Sequence, residues 1–187
     1  MIFWLMGVNV VVFVAWTQAR GTLLDGLMVQ HFLVGVESLA SYRVWTLLTS
    51  AFSHYDASHL LFNMFALYVF GRAVAPVIGW RDVLQVYVVG GIVASLGHVA
   101  YGLITGDTTP ALGASGSVMA FAVLYGALFP NRTLLLGFFL PVPAAVGVGG
   151  YILLDVMGAF AGGTGIAHAA HLAGGAYGLF YWWQRSR

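Results

Sequence analysis

The sequence predicts an all-α polytopic membrane protein, a compact bundle of six transmembrane helices. Composition is the first reason. Of the 187 residues, 60% are hydrophobic and 7% are charged, with a mean hydropathy of +0.90, whereas a soluble domain carries about 25% charged residues to face water. Seven arginines and six acidic side chains cannot clothe a soluble globule of this length, so most of the surface faces lipid. The second reason is run length: about 20 residues of helix cross the roughly 30 Å hydrocarbon layer, and the chain has room for about six such runs. The third is pattern. Runs such as 60–70 do not alternate apolar and polar positions, as a membrane β-barrel strand must, and the only other structure that satisfies every backbone group in lipid is the helix.

Taken in order, crossings are expected at 2–19, 57–78, 82–105, 114–130, 142–160 and 167–184. The first could be taken for a cleaved signal, but it lacks a basic leading segment, and Arg20 follows the apolar run rather than preceding it. It reads as a membrane helix. The connection 20–56 mixes Arg20, Asp25, Glu37, Arg43 and Asp56 with Leu27, Met28, Phe32, Leu33, Val44 and Trp45. It is too broken to span and too apolar to float, so it is expected to lie partly in the interface, with Trp45 at headgroup level. Residues 1–187 form a single six-helix domain in this reading. Arg72, Arg81, Arg132, Arg185 and Arg187 all fall at one shared set of helix ends, while 106–113 and 161–166 carry no basic residue. The positive-inside rule makes the arginine side cytoplasmic and places both termini there.

Polar groups inside a bilayer are costly, and each asks for a reason. The set is His59, Asn63, His98, Asp155, His168 and His171, with the hydroxyl of Ser115. Crossings two, four and six each start on the arginine-poor side, and His59, Ser115 and His171 lie close to those starts. Asn63 is one turn below His59 on the same face. Three segments therefore bring polar groups to a common depth. Ser115 sits in Gly113-Ala114-Ser115-Gly116, where a small-residue loop enters a helix whose N-terminus favours negative charge. A neighbouring histidine can take its proton and return it to a leaving amine, and His59, Asn63 and the Ser115 N–H can donate to an oxyanion. A four-residue motif of this kind is equally how membrane helices pack closely, and a lone membrane histidine is more often a packing hydrogen-bonder. Gly174 and Gly178 form a G-x-x-x-G pair one turn after His171, which predicts close packing of crossing six, and hence His171, against crossing four.

These residues resemble the rhomboid family of intramembrane serine proteases. His59-Leu60-Leu61-Phe62-Asn63 is similar to its second-helix motif, Gly113-Ala114-Ser115-Gly116 to its nucleophile motif, and Ala170-His171-Leu172-Ala173-Gly174 with Gly178 to its sixth-helix motif. Trp45 with 47–54, and Phe129-Pro130-Asn131-Arg132, resemble its first loop and its exit from helix four, so that the likeness covers roughly residues 5 to 183. The resemblance implies Ser115 as nucleophile and His171 as general base and acid, a dyad without a third carboxylate, and His59 and Asn63 at the oxyanion site. It implies single-span transmembrane proteins as substrates. One departure is that Trp45 is followed by Thr46, where the family often shows Trp-Arg.

His168, one turn before His171, is not excluded as the base by spacing alone; the glycines after His171 favour the latter. Asp155 is expected to cap a packing network or face water, with orientation of a histidine as the alternative. His98 reads as structural and His54 as stabilising the first loop. No cofactor or metal is expected, and the absence of cysteine excludes disulfides, thiolate catalysis and cysteine-based metal sites. A net charge of +1 gives no reason to expect nucleic acid. The partners expected are the lipid bilayer and membrane-protein substrates. Two rival functions stand beside the protease: a catalytically inactive rhomboid-like protein that binds membrane clients, and a small transporter or channel, for which internal repeats are lacking. Short loops point to a minimal enzyme of a bacterial cytoplasmic (inner) membrane, with its active site toward the outer side.

Overall fold

The computed structural model describes residues 1–137, 139–162 and 166–187. α1 (Ile2–Ala19) is apolar but for Asn9 and, in its last turn, Thr17 and Gln18, and Asn9 is fully buried. Its amide donates to the Leu5 carbonyl and to the Tyr87 hydroxyl, each at 2.8 Å. Tyr87 in turn donates to the Ala51 carbonyl at 2.9 Å. A polar side chain that the sequence reading passed over thus ties the first helix to the third span and to the first loop.

The segment expected to lie in the interface folds into short helices: α2 (Asp25–Phe32), α3 (Val36–Ala40), α4 (Thr46–Thr49) and a 3₁₀ turn at Ser50–Phe52. Trp45 is partly exposed, as an interfacial indole should be, and its N–H donates to His31 Nδ1 at 3.0 Å. The segment turns Ser38, Thr46, Ser50, Ser53 and His54 inward.

The 57–78 span consists of α5 (Ala57–Ala66), a π-helical turn at Leu67–Gly71, and α6 (Arg72–Ile78). Gly79, at φ 83°, makes the tight turn into α7 (Trp80–Thr105), a backbone conformation that glycine alone adopts without strain. α8 (Ser115–Leu128) follows, then α9 (Ala144–Ala161) and α10 (His168–Arg185). Between α8 and α9 the chain forms a hairpin, β1 (Thr133–Leu136) antiparallel to β2 (Leu140–Pro143). The expected start of crossing five at 142 is therefore strand, and its helix begins at Ala144.

Among the described residues, four helices are long and apolar enough to cross a membrane: Ile2–Ala19, Ala57–Ile78, Trp80–Thr105 and Ala144–Ala161. On this measure four of the six expected crossings stand out as membrane-length helices. The expected fourth crossing, 114–130, is a helix of only 14 residues, or about 21 Å at 1.5 Å per residue. The expected sixth is α10, whose histidines, glycines and terminal polar residues dilute its hydropathy. α8 is the most enclosed helix of the bundle, and α10 turns His171, Gly174, Gly175, Gly178 and Tyr181 inward, so a uniformly lipid-facing surface is not what their sequences encode. Every residue from 116 to 126 of α8 is buried.

Small residues make that enclosure possible. Gly174 lies against the backbone of Gly116, Gly178 against that of Ala120, Gly116 against Ala94, and Gly97 against Ala173. α7, α8 and α10 therefore approach backbone to backbone, the packing that G-x-x-x-G predicted. At the other end of α10, Arg185 pairs with Asp82 of α7, and the Tyr181 hydroxyl donates to the same carboxylate at 2.7 Å.

Candidate active site

Ser115 is the first residue of α8, and the loop before it is fixed from several directions. His98 Nε2 lies 2.9 Å from the Thr109 carbonyl. The Asp107 carboxylate accepts from the Thr109 N–H at 2.9 Å, and the Thr109 hydroxyl together with that N–H holds the carboxyl below the usual range. Val34 and Ala111 exchange backbone bonds of 2.9 and 2.7 Å, and the Gly113 N–H donates to Ser50 O at 2.9 Å. The Ala114 N–H approaches His54 Nε2 at 3.5 Å. Burial, reinforced by neighbouring His59, pushes the His54 imidazole down to about 3, so it stays a neutral acceptor. The contact links His54, expected to stabilise the first loop, to the loop that leads into Ser115.

Gly113 adopts φ 133°, and a Cβ there would lie 2.8 Å from His59 Cε1 and 3.6 Å from Ser115 Oγ. The missing side chain is what lets the His59 ring and the serine oxygen flank the same point. His59 is presented by the N-terminus of α5, where the Asp56 carboxylate caps the helix by accepting from the His59 N–H at 2.8 Å. The Ser58 hydroxyl and that N–H hold the Asp56 carboxyl below its ordinary value. Asn63, one turn on, is buried, and its amide donates to the His59 carbonyl at 2.9 Å. The ring of His59 packs edge-on to His54, with centroids 5.0 Å apart.

The third group comes from α9 and α10. Asp155 is 2% exposed. Its Oδ1 accepts from His168 Nδ1 at 2.6 Å and from His171 Nδ1 at 3.0 Å, and its Oδ2 lies 3.2 Å from His171 Nδ1. The carboxylate does not face water, contrary to the first expectation for it, because two imidazoles of one helix face enclose it. Spacing of three along α10 put His168 and His171 on a common face, but nothing local announced that a residue of α9 would join them. The signal available was that Asp155 is the single charged residue in 142–160. Gly158 gives the His168 ring its place, since any Cβ there would strike it. The Tyr151 ring lies 6.2 Å from that of His171.

His59, Asn63, His98, Ser115, Tyr151, His168 and His171 border one cavity of about 1120 Å³, while Asp155 lies behind the two histidines, outside its lining. Among the described residues Ser115 Oγ makes no hydrogen bond with His171, a looseness common in unliganded sites. Asp155, His168 and His171 also carry metal-ligand chemistry, with one donor atom from each within 4.8 Å of the others.

The fold and site define a class: a polytopic helical membrane protein with a buried histidine–aspartate cluster whose histidines share one cavity with a helix-leading serine. Residues 41–187 match the family model for the rhomboid domain, and the chain belongs to the rhomboid family. It is 36% identical over 189 residues to RHOMBOID-like protein 12, mitochondrial, of Arabidopsis thaliana, covering 93% of this chain and 55% of that protein. It is 29% identical over 180 residues to presenilin-associated rhomboid-like protein A, mitochondrial, of Danio rerio, covering 95% and 45%. To rhomboid protein 1, mitochondrial, of Saccharomyces cerevisiae it is 28% identical over 191 residues, covering 100% and 54%. The chain thus spans about half the length of the curated relatives it matches.

The expected bacterial cytoplasmic (inner) membrane, with cytoplasmic termini and an outward site, is overturned by these matches, since the relatives are mitochondrial proteins. The reason is physical. Arginine asymmetry distinguishes two faces of a bundle, but no residue in it specifies which membrane the bundle occupies.

Proposed function

We propose that this chain is an intramembrane serine endopeptidase that cleaves single-span transmembrane proteins, with Ser115 as nucleophile and His171 as general base and acid. Rhomboid-family proteins generally cleave membrane-embedded substrates, and the observation that carries the reading here is the convergence of Ser115, His171, His59 and Asn63 on one cavity. His171 Nε2 takes the Ser115 proton as Oγ attacks the scissile carbonyl. The resulting oxyanion accepts from His59, from the Asn63 amide and from the Ser115 N–H at the head of α8, each such donor being worth about 2.7–4 kcal/mol of barrier. Collapse expels the amine, which takes its proton from His171. Water, deprotonated by the same imidazole, then releases the acyl group as a carboxylate. Residues 1–187 act as a single six-helix unit in this proposal, with α8 and α10 crossing inside a sheath of the longer spans and 20–56 at the interface.

A client-binding role without catalysis is the second reading, favoured by the missing Ser115–His171 hydrogen bond. Cleavage of a reporter membrane protein by purified protein in detergent micelles separates the two. The protease reading expects cleavage that disappears in a folded Ser115→Ala variant. Cleavage that persists in that variant removes Ser115 as nucleophile, and a wild-type protein that binds the reporter without cutting it supports the client-binding role.

A further inference from the structure

We infer that Asp155 is a positioning residue for His171, fixing its imidazole as the Nδ1–H tautomer so that Nε2 is left to serve Ser115; the inference rests on the proposed protease function. The resemblance to the family implies a dyad with no carboxylate, so this residue lies outside the expected machinery.

The placement of Asp155 is what requires an explanation. Beyond the first turns of α9 it is the one fully buried residue, with Ile152, Val156, Gly158 and Ala159 half-buried and Leu153, Leu154, Met157 and Phe160 exposed. Turning a carboxylate inward there is expensive in a membrane unless it is well partnered. Its partners are both imidazoles of α10, and both bond through Nδ1. An ionised carboxylate only accepts hydrogen bonds, so each Nδ1 carries the proton and each Nε2 is the basic atom. His171 Nδ1 lies astride both carboxylate oxygens, at 3.0 and 3.2 Å, which restrains the ring in two directions. Of the two carboxylate oxygens, His168 Nδ1 meets Oδ1. His171 is also the deeper of the two, with 7% side-chain exposure against 11%. The same oxygen therefore serves two imidazoles, both of which border the cavity that Ser115 lines, and His171 is the one that reaches both carboxylate oxygens.

A carboxylate that merely fastens α9 to α10 would serve equally well as an amide, and this separates the two roles. Asp155→Asn preserves volume and hydrogen bonding but lets the amide N–H face His171 Nδ1, which favours the Nε2–H tautomer, unable to accept the serine proton. In soluble serine–histidine–aspartate proteases that change drops kcat by about 10⁴; with the carboxylate shared, a loss on the order of 10- to 10³-fold is expected here. The experiment measures kcat and KM for reporter cleavage in micelles for wild type, Asp155→Asn and Asp155→Glu, together with ¹⁵N spectra of ring-labelled histidine. The expected result is a kcat loss with KM within about twofold for Asp155→Asn, partial recovery in Asp155→Glu, and an Nδ1–H pattern for His171 in wild type that changes in Asp155→Asn. Wild-type kcat in Asp155→Asn overturns the inference, as does an Nε2–H tautomer of His171 in the wild-type protein, a reading that needs no variant to fold. A change of tautomer confined to His168 overturns it too. Labelling by a serine-directed fluorophosphonate keeps the two levels apart. If wild type labels and Ser115→Ala does not, a failed Asp155 result removes only this inference; if Ser115 is not the labelled residue, the proposed function falls and takes the inference with it.

Discussion

Replacing Gly174 by alanine asks the contact between α10 and α8 to open. A Cβ at that position would lie 2.8 Å from the Gly116 carbonyl carbon and 3.1 Å from its Cα, with the carbonyl oxygen nearer still. All three atoms are backbone, so no side chain can swing aside. Carbons in comfortable contact sit about 3.5–4.0 Å apart, so α10 must retreat by roughly 0.7–1.2 Å. Overpacking of this kind costs about 1–3 kcal/mol, and the better helix propensity of alanine returns up to about 1 kcal/mol. The net expectation is a loss of about 1–2 kcal/mol. Activity should suffer more, because His171 lies three residues earlier on the helix that moves, and a displacement of about 1 Å costs on the order of 10²-fold. Gly178→Ala meets Ala120 backbone atoms at 2.9 Å and should act similarly. The double variant should be less than additive, since one retreat relieves both clashes. Gly149→Ala and Gly150→Ala, where nothing lies within 4 Å, are the controls. Thermal unfolding and reporter cleavage in one detergent measure all five. Wild-type stability and kcat in Gly174→Ala, or an equal loss in the controls, would refute the packing argument.

Three further outcomes follow from the loops around the site. Asp56→Ala removes the cap of α5 and should cost about 1 kcal/mol in thermal unfolding; no change would mean that the bond to the His59 N–H contributes nothing. Because the Asp56 carboxyl is held below its ordinary value, its contribution is present above the unfolded value of about 3.9 and fades as pH falls through the lower folded value. His54, neutral down to about 3, has the opposite bias to a paired histidine. The unfolded chain binds its proton first, so stability should fall by about 1.4 kcal/mol per pH unit as pH drops below about 6.5. His54→Gln should flatten that slope, and an unchanged slope in a pH series of melting curves would count against the burial argument. Asn63→Ala should lower kcat by about 10²–10³-fold with little effect on folding, as loss of an oxyanion donor does; an unchanged kcat would take Asn63 out of the oxyanion site.

The parts of the fold legible in the sequence are those set by local composition and length. α1, the 57–78 span and α7 fall close to where their apolar runs placed them, because a lipid-facing helix is specified by its own residues. The glycine pair at 174 and 178 also revealed its partner helix, since only a backbone-close contact makes use of two glycines four residues apart. The hairpin at 133–143 was missed. Its strands are leucine-rich rather than β-branched, and Pro141 and Pro143 argue against a strand; the usable signal was Gly137, at φ 59°, between two apolar runs. The short helices within 20–56 escaped because none is long enough to show a period. Asn9 and Asp155 are the deeper omissions. The reason each polar side chain is tolerated lies on another element, Tyr87 for the first and the two histidines for the second. Sequence spacing describes faces within a helix and is silent about which faces meet.

The central claim is that Ser115 is a nucleophile activated by His171. A fluorophosphonate probe, followed by mass spectrometry of the labelled peptide, tests it on the intact protein in micelles. The account predicts a covalent adduct on Ser115 that is lost in His171→Ala and retained in His168→Ala. An adduct elsewhere, or labelling that survives His171→Ala and vanishes in His168→Ala, would contradict it.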